Sequence, residues 1–162
     1  MTSVSIGRED DAYVLRADTR VAQRREEVFS FFAEAANLEA ITPAFLGFKI
    51  LTPLPIPMGT GTLIDYRISL RGIPMRWRTR IAAWEPPVRF VDEQIAGPYR
   101  LWVHEHTFAD HGNGTICRDV VRYRLWAPPG VEALLNRTLV APDLHRIFTF
   151  RAQEMVRRFG RG

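Results

Sequence analysis

Along residues 13–21, YVLRADTRV, apolar and polar positions alternate with the period of two that marks a half-buried strand. The period then changes. In REEVFSFFAEAANLEAI (25–41), Val28, Phe29, Phe32 and Ala36 recur at helical spacing, with Glu26 and Glu27 in the first turn. Carboxylates there complement the helix dipole. Leu38 and Ile41 place a second short helix before Pro43. The stretch FKILTPLPIPMGTG (48–61) reads as a strand and then a stiff loop, because prolines at alternate positions fix φ and remove ladder donors.

Residues 61–126 return to period two. RGIP (71–74), PP (86–87), AGPY (96–99) and DHGNG (110–114) interrupt the alternation with turn residues, which predicts an antiparallel meander. A last helix opens near Pro142–Asp143. Its Leu144, Ile147, Phe148, Met155, Val156 and Phe159 form one apolar stripe, with Arg151, Gln153, Arg157 and Arg158 mostly off it. A meander with one buried face needs a cover, and the last helix is the natural one. The order predicts an α+β fold with two short helices after the first strand and a long C-terminal helix packed on the sheet.

Side chains alternate faces along a strand, so the hairpins can be threaded by pairing. The turns suggest Tyr66 opposite Thr79, Ile81 opposite Asp92, Asp92 opposite His104, and His104 opposite Asp119, with His106 opposite Cys117. One face then collects Ile64, Tyr66, Ile68, Trp77, Thr79, Ile81, Phe90, Trp102, Phe108, Val121 and Tyr123. The other collects Asp65, Arg67, Arg76, Arg78, Arg80, Glu93, Glu105, Arg118, Arg122 and Arg124. The apolar face also carries a polar row, Asp92, His104 and Asp119, beside Gln94 and His106. Burying such groups is costly unless they pair or meet a cavity.

Two readings of that row stay open. It can be a structural network fixing the sheet register. It can also line a pocket under the last helix, with Tyr66, Trp77, Thr79, Phe90, Trp102 and Tyr123 around an apolar ligand and Asp92, Gln94, His104, His106 and Asp119 facing its polar end. A histidine held by a carboxylate can act as a general base, which makes His104, Asp92 and Asp119 the catalytic candidates for a cyclase, dehydratase or isomerase. His104 and His106 point to one face two residues apart, a spacing some metal sites use, with Asp92 or Asp119 as a third ligand. The sequence establishes neither that geometry nor an open coordination position, so no metal and no cofactor is assigned. There is no Gly-x-Ser-x-Gly elbow, and Gly59-Thr60-Gly61 lacks the Lys-Ser/Thr of a phosphate loop.

Composition narrows the classes. At 162 residues with 46% apolar content, the chain fits one domain over 1–162 and is not disordered. Its apolar runs are too short to span a bilayer. The start, MTSVSIGREDDAY, lacks a signal-peptide pattern, so a cytoplasmic protein is expected. The single cysteine, Cys117, excludes an internal disulfide and a thiolate cluster. The net charge is +4, with 22 basic residues, all arginine except Lys49. That excess sits after residue 143, on Arg146, Arg151, Arg157, Arg158 and Arg161 against Glu154. It complements a helix C-terminus and gives no reason to expect a nucleic-acid partner. The arginines of the outer sheet face support a third reading, a surface that contacts anions, against a solvated and partly paired face.

NLEAITP (37–43), MGTGTLIDY (58–66), WEPPVRFVDEQIAGPY (84–99) and WVHEHTF (102–108) resemble the START-like, or SRPBCC, helix-grip superfamily, within it bacterial ligand-binding proteins related to polyketide cyclases. The resemblance covers about residues 13–159. It implies a seven-stranded antiparallel sheet wrapped around the C-terminal helix, a deep cavity between them, and a small hydrophobic ligand such as a lipid, polyketide or aromatic metabolite. It implies no particular reaction and no oligomeric state, because the superfamily mixes carriers, sensors and enzymes.

Overall fold

The computed structural model describes residues 3–162. An N-terminal hairpin, β1 (Ser3–Glu9) and β2 (Ala12–Val21), is followed by α1 (Arg25–Ala33) and two 3-10 segments, Ala35–Ile41 and Ala44–Leu46. Then come β3 (Lys49–Ile50), β4 (Leu63–Leu70), β5 (Ile73–Glu85), β6 (Arg89–Ala96), β7 (Leu101–His111) and β8 (Gly114–Arg124). The chain ends in α2 (Pro129–Leu135), a π-helical turn (Asn136–Val140) and α3 (Ala141–Phe159). One antiparallel sheet runs in the order β1-β2-β8-β7-β6-β5-β4-β3. This is the α+β helix-grip arrangement, with eight strands where seven were expected. The extra strand is β1, which turns into β2 at Asp10, a residue in the left-handed region at φ 52°.

The alternation places the buried face as the sequence predicts. Ile64, Ile68, Trp77, Thr79, Ile81, Phe90, Trp102, Phe108, Val121 and Tyr123 are all buried, while Arg67, Arg76, Arg78, Arg80 and Arg118 are exposed. Irregularities between Arg78 and Thr79 and between Ile81 and Ala83 shift the β5–β6 pairing on either side of the expected stretch, and two hairpins differ from the expected threading throughout. Tyr66 pairs with Trp77 rather than Thr79, because Arg71 and Gly72, both at positive φ, make a two-residue turn. His104 pairs with Val121 and His106 with Asp119, because the β7–β8 hairpin turns on Gly112 and Asn113 alone. Each of these two hairpin shifts is two residues, so the side chains of β4 and β8 keep their face and only their row changes. Ile81–Asp92 and Asp92–His104 pair as expected.

The helical regions differ in two places. The α1 helix stops at Ala33 because Glu34 is extended, and the 3-10 segment restarts out of phase, so Ala35 is buried and Ala36 exposed. The last helical region begins at Pro129 rather than near Pro142. Proline at the first position of α2 lacks only a donor that a helix start leaves unpaired. Pro142 is then accommodated directly after the π-helical turn, whose wider hydrogen bonding absorbs a residue that cannot donate. Glu132, 1% exposed, holds α2 to the end of β8 by accepting from the Leu125 backbone N–H at 2.9 Å, with Arg124 at 3.4 Å. Tyr123 donates its hydroxyl to Asn136 Oδ1 at 2.7 Å, fixing the π turn against the sheet.

The α3 helix lays Leu144, Phe148, Ala152 and Met155 on the sheet. The core falls into two apolar clusters. One gathers Leu15, Trp77, Trp102 and Tyr123 under Leu144 and Phe148, and the other gathers Phe29, Phe32, Phe90 and Phe108 with Met155. Along β7 the inward side chains run Trp102, His104, His106, Phe108, so the two histidines lie at the junction of the clusters. On the outer face Arg78 pairs with Asp65, Arg80 with Glu93, Arg89 with Glu105 and Arg118 with Asp18. No helix among the described residues is long and apolar enough to cross a membrane.

Candidate functional site

A cavity of about 170 Å³ lies between the sheet and α3. Leu38 and Leu46 from the 3-10 segments, Thr42 between them, Phe48 just before β3 and Met58 from the loop after it add to its lining. Its walls are mainly apolar, from Ile64, Ile68, Trp77, Ile81 and Phe90 on the sheet to Leu144, Ile147 and Phe148 on the helix. Besides Tyr99 and Thr42, whose hydroxyl donates to the Leu38 carbonyl, the polar lining groups are Tyr66, Thr79, Asp92, His104, His106 and Arg151. A mainly apolar pocket with a few convergent polar groups is the common form of a small-molecule site.

Those polar groups form two stations. At the first, Trp77 Nε1 donates to Thr79 Oγ1 at 3.1 Å, and the Tyr66 hydroxyl lies 3.0 Å from the same oxygen. Burial, reinforced by the Asp92 charge, pushes the Tyr66 phenol well up, so it stays protonated. The second station is the histidine–carboxylate cluster. His104 Nε2 donates to Asp119 Oδ1 at 2.8 Å, and His106 Nε2 donates to Asp92 Oδ2 at 2.6 Å. Arg151 Nη2 donates to His106 Nδ1 at 3.2 Å and lies 3.6 Å from Asp119 Oδ1. The imidazoles lie against each other, tilted by 32° with centroids 3.6 Å apart, and Phe90 stacks on His106 at 3.9 Å.

One nitrogen is left over. His104 Nδ1 has no hydrogen-bond partner; its nearest acidic oxygen, Asp92 Oδ2, is 3.7 Å away. Burial, then repulsion from His106, lowers the His104 pKa to about 4 despite both carboxylates. Near neutral pH the ring is therefore uncharged, and Nδ1 offers a lone pair on a residue that lines the cavity. Burial pushes the Asp119 carboxyl up, but the Arg151 charge and the hydrogen bond from His104 outweigh it and hold the group well below the usual range. Asp92 is lowered too: burial opposes, and His104 and His106 prevail. Burial pushes the Cys117 thiol up to about 12, so it is a neutral core residue opposite Phe108 rather than a nucleophile.

The structure brings Tyr66, Trp77, Thr79, Phe90, Asp92, Trp102, His104 and His106 to the cavity wall. It places three other sequence candidates elsewhere. Asp119 sits behind the histidines, opposite His106 and not in one row with His104. Gln94 grips the Tyr99 backbone, donating to its carbonyl at 2.7 Å and accepting from its N–H at 3.0 Å, so its amide braces the turn before β7. Tyr123 is fully buried and tied to Asn136. Arg151 was expected off the apolar stripe, yet it faces the cluster. Its position three residues after Phe148 and seven after Leu144 puts it on the stripe's edge, a signal already present in the sequence.

Comparison with known proteins agrees with the fold. Residues 21–157 match the family described as polyketide cyclase / dehydrase and lipid transport. Protein Ms6760 from Mycobacterium smegmatis superposes with a TM-score of 0.67 at 14% identity, over 95% of this chain and 94% of that one. Protein CV1439 from Chromobacterium violaceum gives 0.68 at 12% identity, over 92% and 99%. The major latex-like protein 151 of Panax ginseng gives 0.60 at 10% identity, over 90% and 96%. No protein with a curated description matches the chain in sequence. Since the family match runs through both the cavity-lining sheet and α3, the chain belongs to the polyketide cyclase/dehydrase and lipid transport family.

Proposed function

We propose that this protein binds a small, largely apolar molecule with one hydroxyl or other hydrogen-donating group, held in the cavity between sheet and α3. The observation that carries the reading is the unpartnered Nδ1 of His104 at the polar end of an otherwise apolar pocket. A ligand hydroxyl donating to that nitrogen gives it a hydrogen-bond partner, and aromatic or alkyl carbons fill the space along Trp77, Phe148 and Ile147. The volume sets the size. An engineered cavity of ~150 Å³ accepts benzene, so about 170 Å³ suits one substituted ring or a short acyl segment. A longer lipid needs more room than this volume gives.

A panel of phenols, aromatic polyketides and fatty acids, read by thermal shift and by the emission of Trp77 and Trp102, tests the reading. Expected is a raised melting temperature with the ring-bearing hydroxyl compounds and a smaller effect with their methyl ethers. Blank responses across the panel would overturn it.

The catalytic alternative has one observation in its favour: Asp119 orients His104 and leaves Nδ1 free, the arrangement of a positioned base. Against it, a pKa near 4 makes that nitrogen a weak base at neutral pH. Binding is therefore the preferred reading. The arginine-face alternative is weakened by the pairing of Arg78, Arg80, Arg89 and Arg118 with carboxylates.

A further inference from the structure

We propose that Asp92, His104 and His106 form a binding site for a divalent transition-metal ion of the zinc class, held through Asp92 Oδ2, His104 Nδ1 and His106 Nε2. The inference rests on the geometry of the cluster and not on the apolar-ligand reading.

One donor atom from each of these residues lies within 4.8 Å of the other two. Four-coordinate Zn²⁺ with bonds of ~2.0–2.2 Å spaces its ligand atoms roughly 3.3 Å apart. The distances from Asp92 Oδ2, 3.7 Å to His104 Nδ1 and 2.6 Å to His106 Nε2, fall on either side of that value. Each of these two distances needs a shift of under about 1 Å to match it. All three residues line the cavity, which leaves room beside the cluster for a fourth ligand.

The groups behind the ligands supply the second, independent observation. A metal-bound histidine must present one nitrogen unprotonated and anchor the other N–H on an acceptor, usually a carboxylate. Asp119 Oδ1 provides that anchor twice, 2.8 Å from His104 Nε2 and 3.1 Å from His106 Nδ1. His104 is already in the required tautomer, with its Nδ1 free on a residue 5% exposed. His106 needs its proton moved from Nε2 to Nδ1, with no net gain or loss. Its Nδ1–H then donates to Asp119, and Arg151, 3.6 Å from the same oxygen, transfers its hydrogen bond there. A purely structural network has no need for one carboxylate oxygen to reach both imidazoles from behind while a second carboxylate meets them in front. Two imidazoles and one carboxylate favour zinc, cobalt or iron over magnesium or calcium, which prefer all-oxygen sites.

The test uses the full chain, stripped with a chelator and then titrated with metal alone: Zn²⁺ by calorimetry and melting temperature, Co²⁺ by visible absorption. Expected are one equivalent bound, a raised melting temperature and the visible band of nitrogen-ligated Co²⁺. Asp92→Ala and His104→Ala should each weaken binding at least 100-fold, and Asp119→Asn roughly 10- to 100-fold. His111→Ala and His145→Ala, at exposed histidines, should leave it unchanged. If a site variant fails to fold, X-ray absorption of Zn²⁺ on the unaltered protein decides, because the proposal requires two imidazole nitrogens and one carboxylate oxygen. Absence of metal binding, a different ligand set, or loss of binding in the His111 or His145 variants would overturn it. A protein that ignores every phenol and lipid yet binds Zn²⁺ would separate this site from the apolar-ligand reading.

Discussion

His104 donates from Nε2 to Asp119 Oδ1 at 2.8 Å across the β7–β8 pair, and this single bond decides which nitrogen faces the cavity. Asp119 also answers Arg151 and His106. Removing it leaves a guanidinium and two imidazoles around a buried void. Asp119→Ala is expected to lower unfolding free energy by about 3 kcal/mol or more, the usual cost of breaking a buried charged network. Asp119→Asn, which keeps an acceptor, should cost clearly less. Urea denaturation of the three proteins measures the difference, and equal costs would contradict the role given to the charge.

Acid should unfold the metal-free protein in a window set by His104. Its folded pKa is lowered to about 4 from an ordinary 6.5, by burial first and then by His106. Between those values the unfolded chain binds more protons than the folded one, so stability falls as pH drops from about 6.5 toward 4. The full contribution is on the order of 3 kcal/mol. Asp92 and Asp119, both lowered, add losses below the ordinary carboxylate range of 3.8. His104→Leu should flatten the upper part of the profile, read as melting temperature against pH.

Glu132 fixes α2 to the sheet through the Leu125 N–H. Glu132→Ala strands that donor and leaves Arg124 without its buried partner, so about 1–3 kcal/mol of stability should be lost. Hydrogen exchange should show the loss concentrated in residues 125–140, while β5–β7 stay protected. Uniform loss of protection would count against a local strap.

Filling the cavity should separate binding from folding. Ile147 lines the cavity from α3 and is only half-buried, so Ile147→Trp can place its ring in the empty volume. Melting temperature should hold or rise, and affinity for any phenol or lipid that binds the unaltered protein should drop at least tenfold. Undiminished affinity would place the ligand elsewhere.

Most of the architecture was legible in the alternation. The turn sequences fixed which residues face inward because a two-residue register shift preserves the face, so misplacing the Arg71–Gly72 and Gly112–Asn113 turns moved rows without exposing a single core side chain. The same error mattered for the site. It put Asp119 in line with His104, whereas the structure sets it opposite His106, within reach of both rings. Strand β1 escaped notice because its SVSIGRE segment is short and mostly exposed, with little apolar contrast to read. The helical start at Pro129 was hidden by a proline at position 142 that ordinarily ends or opens a helix, and no local pattern announces a π turn. Arg151 was missed because a charge at the margin of an apolar stripe normally points to solvent. Here the buried Asp119 carboxylate draws it in.

The protonation and response of His104 Nδ1, followed by histidine ring ¹⁵N resonances near neutral pH, test the binding site most directly. In the metal-free, ligand-free protein, Nδ1 should read as an unprotonated nitrogen and Nε2 as protonated. Saturation with a phenol that binds should shift Nδ1 as it accepts a hydrogen bond, leaving His111 and His145 unmoved. A protonated Nδ1 in the free protein, or an Nδ1 signal indifferent to bound ligand, would contradict a cavity whose polar end is His104.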